Sequence, residues 1–263
     1  MIKRIAVIGA GAMGSTLVQA IVGVGLKYQI LVCDRDPDKL RKIANARLKV
    51  KTTANLALCA DADIVFLAIK PQDFQSIPLN LKKNALLCSV MAGVSIATLR
   101  RRLGAKKVVR MMPNMAASVG AGFTAWTSVG PVIREEKNII ETILSRMGQH
   151  LFMSREDNID KATAISGSGP AYFFTMILAC VGVARKLGFA PEVATKMAVQ
   201  TIKGASALIN EKSNLDELIR RVASKGGTTE AALTIFKNAK INKIWEKAIR
   251  AAYKRAKELS KEK

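Results

Sequence analysis

The stretch IAVIGAGAMGSTLVQAIVGVGL, residues 5–26, follows a Lys3-Arg4 pair near the beginning of the sequence. A basic start before an apolar run is the outline of a secretory signal or membrane anchor. The detail argues for a folded core instead. Gly9, Gly11 and Gly14 interrupt the run and Ser15, Thr16 and Gln19 follow inside it, whereas a span needs roughly 20 mostly apolar residues. No stop-transfer pattern follows. The segment divides into a short buried strand (IAVI), a turn (GAGAMG) and a helix (STLVQAIVGVGL) in which Leu17, Ile21, Val24 and Leu26 form an approximate apolar stripe.

Outward from this stretch, the 263-residue chain has room for two ordinary domains, each able to bury a core. With 49% hydrophobic and 5% aromatic residues it reads as an α/β or helical enzyme, neither disordered nor fibrous. Cys33, Cys59, Cys88 and Cys180 have no CxxC or metal-ligand spacing, and three of them sit in apolar runs. Reduced thiols, a cytoplasmic setting and no metal are therefore expected. The net charge of +22 raises the question of nucleic acid. Lysine and arginine are spread over both halves, the densest group being Arg100-Arg101-Arg102, and few aromatics accompany them. A base-stacking platform is thus missing, and a basic surface that attracts anionic small molecules is the expectation.

From residue 3 to about 110, strand candidates alternate with helices: RIAVI, QILVC, DIVFLAI, ALLCSV and KVVRM. That rhythm predicts a parallel sheet covered by helices, and runs without alternation, such as DIVFLAI, suit strands buried on both faces. A helix over Arg134 to Met147 and a strand at HLFMS complete the sheet. After Asp157 the strand signals stop, which places a dinucleotide-binding domain at 1–157 and a helical domain at 158–263. Helices are expected around SGSGP, near Pro191, near Leu215 and at the end. The segment AYFFTMILACVGVA, residues 171–184, is apolar nearly all round and must be buried centrally or against a partner subunit.

Gly9-Ala10-Gly11-Ala12-Met13-Gly14 is a GxGxxG that follows a strand and opens a helix. The first glycine makes the tight turn, the second lets backbone approach a pyrophosphate, and the third permits close helix-to-strand packing. The helix start adds free N–H groups and partial positive charge. Asp34 ends the second strand, where an acid hydrogen-bonds the adenosine ribose. The fold class is therefore α/β, an N-terminal Rossmann-like doubly wound sheet. Asp34 favours NADH by accepting from a free 2′-hydroxyl, while Arg35 favours NADPH by pairing with a 2′-phosphate; use of both, leaning to NADH, is expected.

Two more glycine-rich stretches, AISGSGPAYFF (164–174) and VASKGGTTEAAL (222–233), lie in the helical half. Close helix crossings, or capping by Thr228 or Thr229, would account for such residues structurally. GGTT, however, also offers successive N–H groups at a helix start, a ready carboxylate site. Together with IGAGAMG, FLAIKPQ (66–72), VMAGVSIATL (90–99), VVRMMPNMAASVGAG (108–122), ATAISGSGPAYFF (162–174) and SKGGTTEAAL (224–233), these stretches make the chain resemble the pyrroline-5-carboxylate reductases over essentially its whole length. The family usually has Pro at Lys225 and Thr-Pro at Met115-Ala116. The resemblance implies that Ile8, Gly9, Ala10, Gly11, Ala12 and Met13 wrap the pyrophosphate of NADPH or NADH and that Asn55 reaches the adenosine end. It further implies that Ala68, Ile69, Lys70 and Pro71 line the cofactor cleft and that Met91, Ala92 and Gly93 approach the nicotinamide. Ser224, Gly226, Gly227, Thr228 and Thr229 would hold the carboxylate of 1-pyrroline-5-carboxylate, with Glu156 nearby. The helical, dimerisation domains would pair, each active site drawing its loop from a neighbouring subunit, with neither nucleic acid nor membrane as partner.

Acid and base groups are few. The one histidine, His150, falls in an expected sheet-edge strand and reads as structural. A protonated cyclic imine is already an electrophile, so positioning can dominate catalysis. Thr229 is the candidate catalytic residue, its hydroxyl hydrogen-bonding the ring nitrogen; Lys70 reads as a positioning residue at a strand's carboxyl end. A β-hydroxyacid dehydrogenase is the nearest alternative, but Ala171-Tyr172-Phe173-Phe174 follow Gly169-Pro170 and the next basic residue is Arg185, where those enzymes have an early lysine. The other alternative is a non-enzymatic basic protein that binds nucleotides or nucleic acid.

Overall fold

The computed structural model describes residues 2–25, 28–46 and 48–261; Leu26 of the expected apolar stripe lies outside them. The chain runs β1 (Arg4–Ile8), α1 (Ala12–Gly23), β2 (Gln29–Cys33), α2 (Pro37–Asn45), β3 (Lys51–Thr53), β4 (Ile64–Leu67), β5 (Leu86–Ser89), α3 (Ile96–Leu103), β6 (Lys107–Pro113), β7 (Gly122–Val129), α4 (Arg134–Met147) and β8 (Gly148–Phe152). Then follow α5 (Asp157–Ala162), a π-helical turn (Thr163–Gly167), α6 (Gly169–Lys186), α7 (Pro191–Ala207), α8 (Leu215–Val222), α9 (Thr228–Asn238) and α10 (Ile241–Lys261).

The opening stretch folds as strand, turn and helix, but α1 begins at Ala12, inside GAGAMG, because Gly11 in extended conformation is already its N-cap. Along β1 the side chains alternate between two cores: Ile5 and Val7 pack with Leu17, Ile21, Phe66 and Ile140 on one face. Ala6 and Ile8 pack with Leu67, Leu87 and Leu99 on the other. A strand covered on both sides has no polar face, which is why its sequence shows no alternation.

The strand order is β3-β2-β1-β4-β5-β6-β7-β8. The first six follow the doubly wound 3-2-1-4-5-6 order, which has its switch point between β1 and β4. The expectation of a wholly parallel sheet needs correction, because β7 runs antiparallel to β6, with Pro113 opposite Thr124, before β8 returns parallel to β7. β3 and β7 lie outside the sequence reading. β3 has three residues and no buried one, so it carries no hydrophobic signal. GFTAWTSV does alternate in part, and its Trp126 is 1% exposed, but it is joined to β6 by a single short 3₁₀ turn, Met115–Val119, rather than an α-helix, and so breaks the rhythm. At the amino edge of the sheet, Asp63 fastens β1 by accepting from the amides of Lys3 and Arg4 at 2.8 and 3.1 Å and pairing with Lys82 at 2.6 Å.

The molecule divides into two compact units, one comprising the residues up to Ser168 with those from Ala252 onward, the other Gly169–Ala251. The last turns of α10 thus pack with the sheet unit, where Tyr253 donates to Asp157 at 2.9 Å. The sequence boundary at 157/158 divides the chain by element type; compactness divides it after the π turn. Within the second unit, α6 faces α7, and Trp245 meets Tyr172 edge-on at 5.9 Å. Ala194 is the only buried hydrophobic residue among the described residues of this unit, while Phe174 is 56% and Leu178 71% exposed. An apolar trough of about 1010 Å³, lined by residues including Met176, Val183, Leu187, Phe236, Ile244 and Trp245, runs along it. Of the two expected fates of the 171–184 segment, burial inside the chain is ruled out by this exposure.

Candidate active site

The carboxyl ends of β1, β2 and β4 open onto a cleft of about 540 Å³ lined by Ile8, Gly9, Gly11, Asp34, Arg35, Ala68, Ile69 and Lys70, together with Cys33 and Lys39. The three glycines of the turn differ in what they do. Gly9 has φ +101°, and a Cβ on it would lie 2.5 Å from the Ala68 carbonyl oxygen; one on Gly14 would lie 1.8 Å from that of Gly9. Gly11 has no atom within 4 Å of a Cβ position. Two glycines are therefore demanded by the protein's own packing, and the third keeps open space at a helix start.

That start is bare. Gly11 offers no side-chain cap and no acidic residue stands in the first turn of α1, so the amides of Ala12, Met13 and Gly14 point at the cleft unspent, as an anion requires. Asp34 is not a solvated acid. Its side chain is 9% exposed and accepts from the amides of Ala10 at 2.7 Å and Asp36 at 2.9 Å, with the Lys39 ammonium 3.8 Å away. Each carboxylate oxygen keeps a further lone pair for a ribose hydroxyl. Arg35 is 82% exposed and paired with Asp73 at 3.1 Å. Lys39, in the first turn of α2, is absent from the sequence reading; its only signal there was its place just after Asp36-Pro37.

Several expected cofactor residues do not line this cleft. Asn55 is exposed, its side chain accepting from the Ala57 amide at 3.0 Å. Pro71 follows Lys70 in the loop, its carbonyl accepting from the Phe74 amide at 3.3 Å. Met91 is 2% exposed within the second core, Ala92 is half-buried, and Gly93, with φ +67°, lies against α10, where a Cβ would come 2.6 Å from that of Leu259.

In the helical unit, Ser224 to Gly227 form a turn closed by the Gly227 amide donating to the Ser224 carbonyl at 3.0 Å. The positive φ of Gly226, +72°, is that of the third residue of a type II turn, whose second position, here Lys225, suits proline. Capping by a threonine is not observed: Gly227 is the N-cap of α9, without a side-chain bond, and Thr228 and Thr229 already belong to the helix. The Glu230 carboxylate instead reaches back to the Gly226 amide at 2.6 Å. By contrast α2, α3 and α8 are capped by Asp36, Ser95 and Asn214. Glycine caps without side-chain bonds thus open α1 and α9, the helices begun by GAGAMG and GGTT.

Glu156 is engaged within the sheet unit. One oxygen accepts both from the Ile96 amide at 2.8 Å, the first of α3, and from Arg110 at 2.9 Å. Arg110, 2% exposed, also donates to Asp160 at 2.6 Å; this buried network was not legible because its members lie 46 and 50 positions apart in sequence. His150 lies in β8, the last strand of the order, with Ser145 3.1 Å from its ring nitrogen. Cys33, Cys59 and Cys88 are buried free thiols and Cys180 is exposed.

Comparison with known proteins separates the readings left open. A family model described as pyrroline-5-carboxylate reductase dimerisation matches residues 156–259, and one described as NADP oxidoreductase, coenzyme F420-dependent, matches residues 4–93. The helical run 157–186 is long and apolar enough to cross a membrane, with a mean hydropathy of 1.5; the first match gives that exposed face a different purpose. The pyrroline-5-carboxylate reductase of Pseudomonas aeruginosa is 35% identical over 98% of this chain and 97% of its own. The solved structure of the Coxiella burnetii enzyme of that name superposes with a TM-score of 0.86 at 35% identity, covering 99% of each chain. That of the Plasmodium falciparum pyrroline carboxylate reductase with NADP bound gives 0.85 at 26% identity, covering 98% of each. No such support falls to a β-hydroxyacid dehydrogenase or a non-enzymatic protein: with relatives aligned from end to end and the dimerisation model lying over the exposed helices, the chain belongs to the pyrroline-5-carboxylate reductase family.

Proposed function

We propose that the protein reduces the C=N bond of 1-pyrroline-5-carboxylate to give L-proline, with NADPH or NADH as reductant, as the last step of proline biosynthesis in the cytoplasm. The observation that carries this reading is the pair of glycine-started, uncapped helices, α1 and α9, on a chain of this family. A pyrophosphate fits the first, where Gly11 leaves the space a Cβ would fill. A carboxylate fits the second, where the amides of Thr228 and Thr229 have no capping side chain.

The bound dinucleotide supplies a hydride to the imine carbon. This chain's residues do the rest by binding and orienting. Gly9 to Met13 hold the pyrophosphate, Asp34 the ribose, and Arg35 an added 2′-phosphate, while Ala68 to Lys70 form the cleft wall and Pro71 shapes the loop behind them. Ser224, Gly226, Gly227 and Thr228 seat the substrate carboxylate with Glu156 nearby, and the Thr229 hydroxyl bonds the ring nitrogen. Residues 1–157 serve the cofactor and 158–263 the substrate and dimer, each site drawing its loop from the neighbouring subunit. No nucleic acid or membrane partner is required; the basic surface serves anionic ligands.

The test follows NADH and NADPH oxidation with 1-pyrroline-5-carboxylate and then with its six-membered analogue, identifying proline as product. Oxidation with proline formation is expected; no oxidation of either nucleotide would overturn the assignment.

A further inference from the structure

The SGSG stretch, Ser166 to Gly169, has no part in the glycine turn or the carboxylate loop. It lies at the π-helical turn, which is closed by the Ser168 amide donating to the Thr163 carbonyl at 2.8 Å. Single π-helical turns of this kind are frequent at functional sites, where the side chain they present matters. Here the side chain is that of Ser166, whose hydroxyl accepts from the Asn114 amide nitrogen at 3.2 Å.

Asn114 directly follows β6. Its carbonyl oxygen accepts from the Phe123 amide at 3.3 Å, which fixes the side-chain amide so that its nitrogen faces Ser166. Asn114 has two N–H donors and spends one on Ser166, while Ser166 keeps its own hydroxyl proton. Two donors are thus left side by side on half-buried groups. They stand at the carboxyl end of the sheet, where an open doubly wound fold binds its ligand. β6 stands beyond β4 and β5 on the side of the switch point away from β2 and Asp34, the side toward which a dinucleotide bound across that crevice extends.

We infer that Asn114 and Ser166 form a polar seat for the nicotinamide carboxamide, donating to its oxygen and holding the ring for hydride transfer. This rests on the functional reading above, and the test separates the two. Asn114→Asp keeps the acceptor for the Phe123 amide and removes the donors; Ser166→Ala removes the hydroxyl.

The full-length enzyme, its variants and NADPH are compared by fluorescence titration, nicotinamide emission lifetime, melting temperature and turnover with 4-deuterated NADPH. Both variants should bind NADPH within about threefold of wild type, because the adenosine end is untouched. They should show a shortened emission lifetime, and Asn114→Asp should lose about tenfold in kcat, with a raised deuterium isotope effect. Wild-type lifetimes and isotope effects in both variants, or a fall in melting temperature alone, would overturn the inference. If the wild-type enzyme reduced no cyclic imine but Asn114→Asp still shortened the lifetime, the seat would stand and the proposed substrate would fall.

Discussion

The sheet unit and the helical unit are made of similarly apolar sequence and treat it in opposite ways. In the sheet unit Ile5, Val7, Leu17, Ile64 and Phe66 are at most 1% exposed, whereas in the helical unit Leu178, Leu187 and Ile235 are 71%, 74% and 66% exposed. The first unit completes its core within one chain. The second presents a hydrophobic face and a trough of about 1010 Å³, far beyond the scattered single residues normal on a monomer surface. The dimerisation region matched at 156–259 accounts for the contrast: the apolar face of the helical unit is one that association covers.

The largest expected effect breaks that contrast directly. Leu178→Arg places a charge on the exposed apolar face of α6, and an unpaired charge buried on association costs about 3–5 kcal/mol. The dimer should dissociate at least a hundredfold more readily in sedimentation equilibrium, with NADPH binding retained. An unchanged association constant would remove Leu178 from the interface.

Next comes a comparison inside the glycine turn. Gly14→Ala drives a methyl to 1.8 Å from the Gly9 carbonyl oxygen and should cost about 1–3 kcal/mol or more in chemical unfolding. Gly11→Glu meets open space and should leave the ligand-free melting temperature intact. It should abolish the stabilisation by saturating NADPH, about 2.7 kcal/mol at a hundred times Kd. In the helical unit, Thr229→Ala should lower kcat/KM by more than about 1.4 kcal/mol, tenfold, with steady-state kinetics as the check.

The smallest effect concerns acid stability of the sheet unit. Burial pushes the Asp63 carboxyl up, but hydrogen bonds from Lys82 and the amides of Lys3 and Arg4 outweigh it and hold the group at about 2. The hydrogen bonds of Asp157 with Lys161 and Tyr253 likewise hold it at about 2. A carboxylate depressed on folding stabilises above its unfolded value of 3.8 and loses that contribution as pH falls toward 2. Asp63→Asn should therefore flatten the decline in stability between those limits, as read from urea midpoints across the pH range.

What was legible in the sequence follows the same divide. Strands β1, β2, β4 and β5 announce themselves because burial on both faces leaves uninterrupted apolar runs, β6 because Arg110 alone breaks its run, and Gly9, Gly11 and Gly14 because their spacing is a backbone requirement. β7 did not, since its direction is set by pairing with β6 rather than by its composition. Asp34 was legible as an acid at a strand end, but its bond to the Ala10 amide was not, because that contact exists only once β1 and β2 are paired. The Glu156–Arg110–Asp160 cluster was hidden for the same reason. The apolar 171–184 segment was legible as needing cover; whether that cover came from its own chain required the fold.

The central claim, that cofactor cleft and carboxylate loop form one site across a dimer, is tested most directly by mixing two inactive variants. Gly11→Glu blocks the pyrophosphate position; Thr228→Glu puts a carboxylate at the first residue of α9, where it suits the helix but fills the anion seat. After dissociation and reassociation of equal amounts, half the dimers are mixed and one of their two sites is intact. The account predicts recovery of about a quarter of wild-type NADPH oxidation with 1-pyrroline-5-carboxylate, from two chains each inactive alone. Mixed dimers that form and yet stay inactive would contradict it.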